Sequence, residues 1–237
     1  MKTGLIISCL LLAACGQSQS VSSAVEGQED GHALWLRMTP NSQDAQVTLS
    51  LSYDGCGTVE PSPTVELAAG ELRRYWHGAP VEMALDGGPM HCAQGDDGFT
   101  IVRKPEGGLL LQAHGRDVGL LYGAYHLLRQ QETGQPINPV EEHPAFALRL
   151  LNHWDNLDGS IERGYAGNSI FWGRDDLPND TVLLEYARAN ASIGINGTVL
   201  NNVNASPMML STERLQTVKH IADMLRPYGI PATSRSR

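Results

Sequence analysis

From residue 146 onward the apolar pattern of this chain switches period three times, and that alternation confines the region to few architectures. Phe146–Leu151 is an apolar run of strand length. Thr181–Asn190 reads as a helix, with Asp180 as the expected N-cap and Gly194 as the stop. Ile195–Leu200 reads as a second strand. Leu215, Val218, Ile221, Ala222 and Leu225 then mark a second helix, capped by Ser211 or Thr212 and ended by Pro227-Tyr228-Gly229. Strand, helix, strand, helix predicts a parallel sheet covered by helices, an α/β class. Ile230 should open a third strand, but the closing PATSRSR is polar and basic and is not expected to form a buried one.

The residues before this region predict a separate unit, with a boundary after residue 139. Residues 29–139 form the expected first domain, a small α+β unit. Gln46–Tyr53 alternates, with Val47, Leu49 and Leu51 on one face. Phe99–Lys104 and Leu109–His114 flank Pro105-Glu106-Gly107-Gly108, a hairpin signal. Asp117–Gln131 carries Leu120, Leu121, Ala124, Tyr125 and Leu128 at helical spacing. Gly119 and Gly123 lie four apart on that helix and predict close packing on a sheet; no GxGxxG accompanies them to support a phosphate role. Gln135–Pro144 holds three prolines and reads as a linker, and residues 140–237 form the second expected domain.

The first residues read as a leader. Lys2 is a short basic region and Leu5–Leu12 an apolar core. Leu12-Ala13-Ala14-Cys15 fits a bacterial lipobox, which would make residues 1–15 a lipoprotein signal and Cys15 the lipidated residue. An ordinary signal peptide is the other reading. Residues 16–28, rich in Ser, Gln and Gly, read as a flexible tether. Gly16 after the cysteine points to the outer membrane, so an exported, lipid-anchored protein of the bacterial envelope is expected. Of four cysteines, Cys56 and Cys92 then remain, either as a disulfide or as two buried thiols. No CxxC or HExxH spacing predicts zinc, and no cofactor is expected. A net charge of −9 disfavours nucleic acid as a partner.

The chemistry concentrates where the strand at Phe146–Leu151 empties into LLNHWDNLDGSIERGYAGNSIFW, residues 150–172. Strand C-terminal ends are where (β/α)8 barrels place their sites. Trp154 offers an apolar face for a sugar ring, unless it is a core residue beneath the loop. His153, Asp155 and Asn156, with Asn152, offer hydroxyl partners, or simply satisfy the turn. Arg163 could grip a carboxylate with its bidentate fork, or bridge to Glu162, Asp158 or Asp155. The second strand ends in Asn201-Asn202-Val203-Asn204-Ala205, suited to hydroxyls and one apolar substituent, or to turn geometry alone.

The segment at residues 150–172 resembles the α-glucuronidases of glycoside hydrolase family 67. The resemblance continues through ARANASIGINGTVLNNVNA (Ala187–Ala205) and VKHIADMLRPYGI (Val218–Ile230), and more loosely through Gly115–Leu128. It implies a hexosaminidase-like accessory domain followed by the first two βα units of a truncated (β/α)8 TIM barrel. It also implies inverting removal of 4-O-methylglucuronic acid from glucuronoxylan-derived xylo-oligosaccharides, and leaves a homodimer open for the full-length enzyme only. In the family the acid and base sit on later barrel strands, so no catalytic residue is expected within this chain and the piece itself should be inactive. Trp154, Asp155, Asn156, His153, Arg163, Asn202 and Val203 are the implied substrate-binding residues, with Asn202 or Val203 beside the 4-O-methyl group. The competing reading is a noncatalytic carbohydrate-binding or scaffold lipoprotein. A transporter's binding protein is disfavoured, since the first domain lacks repeated α/β halves.

Overall fold

The computed structural model describes residues 33–52, 60–86, 95–164, 167–173, 178–204 and 206–234. The expected leader, the lipidation site Cys15, the tether, and both Cys56 and Cys92 lie outside the described residues. Among the described residues no helix is long and apolar enough to cross a membrane.

The first half builds a five-stranded mixed sheet. In chain order it runs β1 (Val47–Ser52), α1 (Pro63–Tyr75), β2 (Val81–Asp86), β3 (Phe99–Arg103), β4 (Leu109–Ala113), α2 (Val118–Glu132) and β5 (Val140–Glu142). The spatial order is β1-β2-β4-β3-β5. β1, β2 and β4 are parallel, while β3 runs antiparallel to both β4 and β5. The expected hairpin is β3–β4, closed by Gly107 N–H donating to Lys104 O. Alternation along β1 sets Val47, Leu49 and Leu51 on its more buried face, as expected.

Helix α1 follows from its local chemistry. The Ser62 hydroxyl accepts from Val65 N–H at the N-terminus, and Pro63 opens the first turn. Val65, Ala68, Ala69 and Leu72 form one buried stripe, which packs against α2. Helix α2 is buried on almost every side, between α1 and the strands β2, β3 and β4. Its two glycines permit that approach. A Cβ on Gly119 would fall 2.3 Å from Gly98 O, and one on Gly123 would fall 2.2 Å from Leu111 Cδ1. Packing, not ligand contact, therefore accounts for the pair. The Pro-rich stretch expected to be only a linker contains β5, which pairs Val140–Glu142 with Phe99–Ile101. Proline on the flanks is compatible with an edge strand.

The second half is a three-stranded parallel sheet, β6 (Leu150–Asn152), β7 (Gly197–Val199) and β8 (Ala232–Thr233). Helices α3 (Asp180–Ala191) and α4 (Thr212–Leu225) connect the strands, as the alternating pattern predicts. Ser211 caps α4 through its hydroxyl, which settles the choice between Ser211 and Thr212. The cap of α3 is Asn179 rather than Asp180, its side chain accepting from Thr181 and Val182 N–H. Two further expectations need correction. A third strand does form, because Ala232 and Thr233 pair with Thr198 and Val199 after a fully buried Ile230. The run Phe146–Leu151 is not a buried strand. Phe146 is 73% exposed and Leu148 65%, while Leu150 and Leu151 are 37% and 38% exposed on an edge strand. Arg149 explains the late start. Its N–H donates to Asn196 Oδ1 and its guanidinium takes Gly194 O, Phe146 O and Asp97, which holds the segment in a polar bracket rather than a ladder.

Two buried polar joints tie the halves together. Asp97, 3% exposed, accepts from Arg149, Arg116 and Asn196 at 2.7, 3.2 and 3.0 Å. Glu71 on α1 accepts both arms of Arg188 on α3, at 2.7 and 2.8 Å. Neighbouring apolar contacts cover the joints: Trp35 meets Tyr125 edge-on and donates to Ser192 Oγ.

Candidate carbohydrate-binding rim

The C-terminal ends of β6 and β7 carry the sequence-predicted residues, and the structure brings most of them together. His153 N–H continues the ladder by donating to Val199 O. The chain then folds into a tight hairpin, with Asp155 bridged to Ile161 and Asn156 N–H donating to Ser160 O. Gly159 and Gly173 both take positive φ and touch, so a Cβ on Gly159 would lie 2.9 Å from Gly173 Cα. That contact clamps the hairpin against residues 169–173. There Ser169 Oγ accepts from Phe171 and Trp172 N–H, and the Trp172 indole donates to Leu200 O at 2.7 Å. The rim is therefore tied to both strand ends.

His153 sits in an aromatic box. Phe171 meets it edge-on at 5.1 Å, and Tyr186 of α3 lies 5.6 Å away. Its Nε2 lies 2.8 Å from the Tyr186 hydroxyl, which in turn lies 2.9 Å from Thr198 Oγ1. Burial pulls the His153 pKa below its ordinary value, against the opposing pull of Asp155. Burial likewise pushes the Tyr186 phenol up to about 12. The imidazole is thus held neutral and oriented, a support for the loop behind the rim.

The remaining residues divide between scaffold and surface. Asp155 is buried, its carboxylate 3.8 Å from His153 Nδ1 and its carbonyl accepting from Asn202 N–H. Asn202 is buried too. Its amide donates to Asn156 Oδ1, and its Oδ1 accepts from Asn204 N–H at 2.6 Å, an Asx turn. Asn156 also donates to Ser160 Oγ. These side chains interlock the two strand ends. Asp158 accepts from Ser160 hydroxyl and N–H, which hold its carboxyl below the usual carboxylate range. That is opposite to the direction a general acid requires.

Trp154, Arg163 and Val203 form the outward face. Trp154 is 37% exposed and Val203 54% exposed. The placement of Trp154 rules out a core position beneath the loop. Arg163, with a left-handed φ of 59°, sets its guanidinium 5.3 Å over the Trp154 ring, in cation–π contact. Of the two residues expected beside an apolar substituent, Val203 is the surface residue and Asn202 is spent on the turn. Sequence reasoning missed Ser169, Phe171, Trp172, Tyr186 and Thr198. The apolar triplet Ile170-Phe171-Trp172 after Ser169 was the available signal. Tyr186, three residues beyond the buried Leu183 on α3, was another.

The chain is similar to known glycoside hydrolases. The model of the glycosyl hydrolase family 67 middle domain matches residues 128–234. "Probable alpha-glucuronidase A" from Aspergillus clavatus is 36% identical over 194 residues, covering 79% of this chain and 22% of that protein. "Probable alpha-glucuronidase A" from Aspergillus niger is 34% identical over 230 residues, covering 85% of this chain and 27% of that protein. The chain thus spans about a quarter of the length of these curated relatives. Among solved structures, a GH138 enzyme targeting pectin rhamnogalacturonan II aligns with a TM-score of 0.50 at 13% identity, covering 80% of this chain and 24% of that one. At that identity the likeness concerns the fold alone.

Proposed function

This chain belongs to glycosyl hydrolase family 67, and from that premise we propose that it supplies the accessory domain and the opening strand–helix units of an α-glucuronidase (β/α)8 barrel. The proposed reaction of the whole enzyme is inverting hydrolysis of the bond between 4-O-methylglucuronic acid and a xylo-oligosaccharide. This chain's share is binding rather than proton transfer. Trp154 is the stacking platform, Val203 the apolar neighbour of the methyl ether, and Arg163 the cation for the sugar carboxylate. His153, Asp155, Asn156 and Asn202 hold the loop that presents them. One observation carries this reading. The loops leaving β6 and β7 are joined through Asn156 and Asn202, 46 residues apart in sequence, beside an outward-facing Trp154.

No general acid or base is assigned here. Asp155 is buried, and the Asp158 carboxyl is held low by Ser160. The chain alone is therefore proposed to bind aldouronic acids without cleaving them. Cys15 is proposed to anchor the protein to the outer membrane, on the lipobox wording alone. The test is incubation of the chain with aldobiouronic acid, with a parallel tryptophan-fluorescence titration. Saturable quenching without release of 4-O-methylglucuronic acid supports the proposal. Release above the blank overturns the assignment of roles, and absence of any saturable change overturns the rim as a binding surface.

A further inference from the structure

We propose that Asp96, His114 and His143 bind a divalent transition-metal ion of the zinc type, on the first sheet and apart from the carbohydrate rim. One ligand atom from each residue lies within 4.8 Å of the others. No short motif reveals the set, because its members come from three separate segments. The strand register explains how they meet. β3 lies between β4 and β5, with Phe99 opposite both Ala113 and Glu142. The next residues on the two neighbours are His114 and His143, so both flank Gly98 at the start of β3. Asp96 turns back into the same space, its Oδ1 accepting Gly98 N–H at 2.7 Å. Gly98 keeps that space open. A Cβ there would lie 2.7 Å from both Asp96 Oδ1 and His114 Nδ1, and 2.4 Å from Glu142 O.

Both imidazoles have their outer nitrogens engaged. His114 Nε2 lies 2.7 Å from Thr100 Oγ1, and His143 Nε2 lies 3.2 Å from Glu141 Oε1. Each outer nitrogen thus has an oxygen partner, the support that metal-ligating histidines ordinarily have. The inner nitrogens face Asp96, His143 Nδ1 at 2.8 Å from Oδ2 and His114 Nδ1 at 3.7 Å from Oδ1. His114 Nδ1 is buried and has no hydrogen-bond partner. With Nε2–H donating to Thr100, it presents a bare lone pair toward a carboxylate. A cation between them converts that repulsion into two bonds. Tetrahedral zinc, with bonds of about 2.0–2.2 Å, needs ligand atoms roughly 3.4 Å apart. Turning the His143 side chain, which is 54% exposed, can supply the contraction. Three protein ligands would leave a fourth position to solvent. Such an ion would pin the chain leaving β5 to the ends of β3 and β4, next to the Asp97 joint.

The test is titration calorimetry of the tag-free full chain with zinc chloride, after chelator treatment and dialysis. Cobalt(II) absorption reports the geometry. All measurements are repeated in a background with all four cysteines, Cys9, Cys15, Cys56 and Cys92, replaced by serine, so that thiols cannot hold the ion. The expected result is one equivalent bound, a tetrahedral cobalt spectrum, and affinity at least about tenfold weaker in His143→Ala and in Asp96→Asn. His143 is exposed, so that variant should keep the fold, and an unchanged melting temperature without metal confirms it. Absence of stoichiometric uptake by the parent chain overturns the proposal, and so does undiminished affinity in His143→Ala.

Discussion

Cutting the Glu71–Arg188 bridge should weaken the hold between the two halves of the protein. The pair is bidentate at 2.7 and 2.8 Å, and the side chains are 9% and 22% exposed. Removing one partner of a fully buried pair costs about 3–5 kcal/mol, chiefly because the other charge is stranded. Arg188 keeps some contact with water, so the expected cost of Glu71→Gln is about 2–3 kcal/mol. For a unit of this size that lowers Tm by about 5–10 °C. A double-mutant cycle with Glu71→Gln and Arg188→Gln isolates the pair, because it subtracts the Arg188–Tyr75 stacking at 5.2 Å that only the Arg188 variant loses. Thermal and urea unfolding of the four proteins should give a coupling of about 2 kcal/mol. Coupling below about 0.5 kcal/mol, the value of an exposed pair, would refute the claim that this joint holds α1 to α3.

Three further outcomes follow from the packing and the site. Gly119→Ala should destabilise more than Gly123→Ala, since its Cβ meets the Gly98 carbonyl whereas the other meets a leucine methyl that can shift; paired melting curves rank them. The His153 pKa is lowered in the folded state, so the unfolded chain takes up that proton first. Stability should therefore fall as pH drops below about 6.5, and His153→Gln should show a shallower loss between pH 7 and 5 in urea titrations than the parent. Asn202→Ala strips partners from Asn156 Oδ1 and Asn204 N–H and should cost about 1–3 kcal/mol, read as a shift in the urea midpoint.

The elements written in regular periods were legible in the amino-acid sequence. β1, the β3–β4 hairpin, α2, α3 and α4 all announce themselves through alternation or helical spacing, with turn and cap residues between. Other elements went unread for physical reasons. The buried stripe of α1 is half alanine, although Ser62 and Pro63 mark its start. β2 reads VEMALD, poor in the β-branched residues that signal a strand. β5 hides among prolines. The run at Phe146–Leu151 misled because hydrophobic composition says nothing about whether a neighbouring strand is there to cover it. At the site, the location of the rim was legible from the abrupt passage of an apolar run into Asn152-His153-Trp154-Asp155-Asn156. The division of labour was not. Whether an Asn faces solvent or locks a turn depends on a partner 46 residues away, as Asn156 and Asn202 show.

The central claim is that Trp154 faces a bound sugar rather than the core, and the most direct measurement is a Trp154→Ala variant read for both affinity and Tm. Loss of an aromatic platform forfeits on the order of 1–3 kcal/mol of binding, about ten- to a hundredfold in Kd. Trp154 is 37% exposed and carries the Arg163 guanidinium over its ring, so its truncation is expected to cost the interior little. Titration with aldobiouronic acid should therefore show Kd rising about ten- to a hundredfold while Tm stays within a few degrees. A Tm collapse of the size expected for core truncation, about 3–5 kcal/mol of stability, with Kd unchanged on the protein that remains folded, would contradict the account.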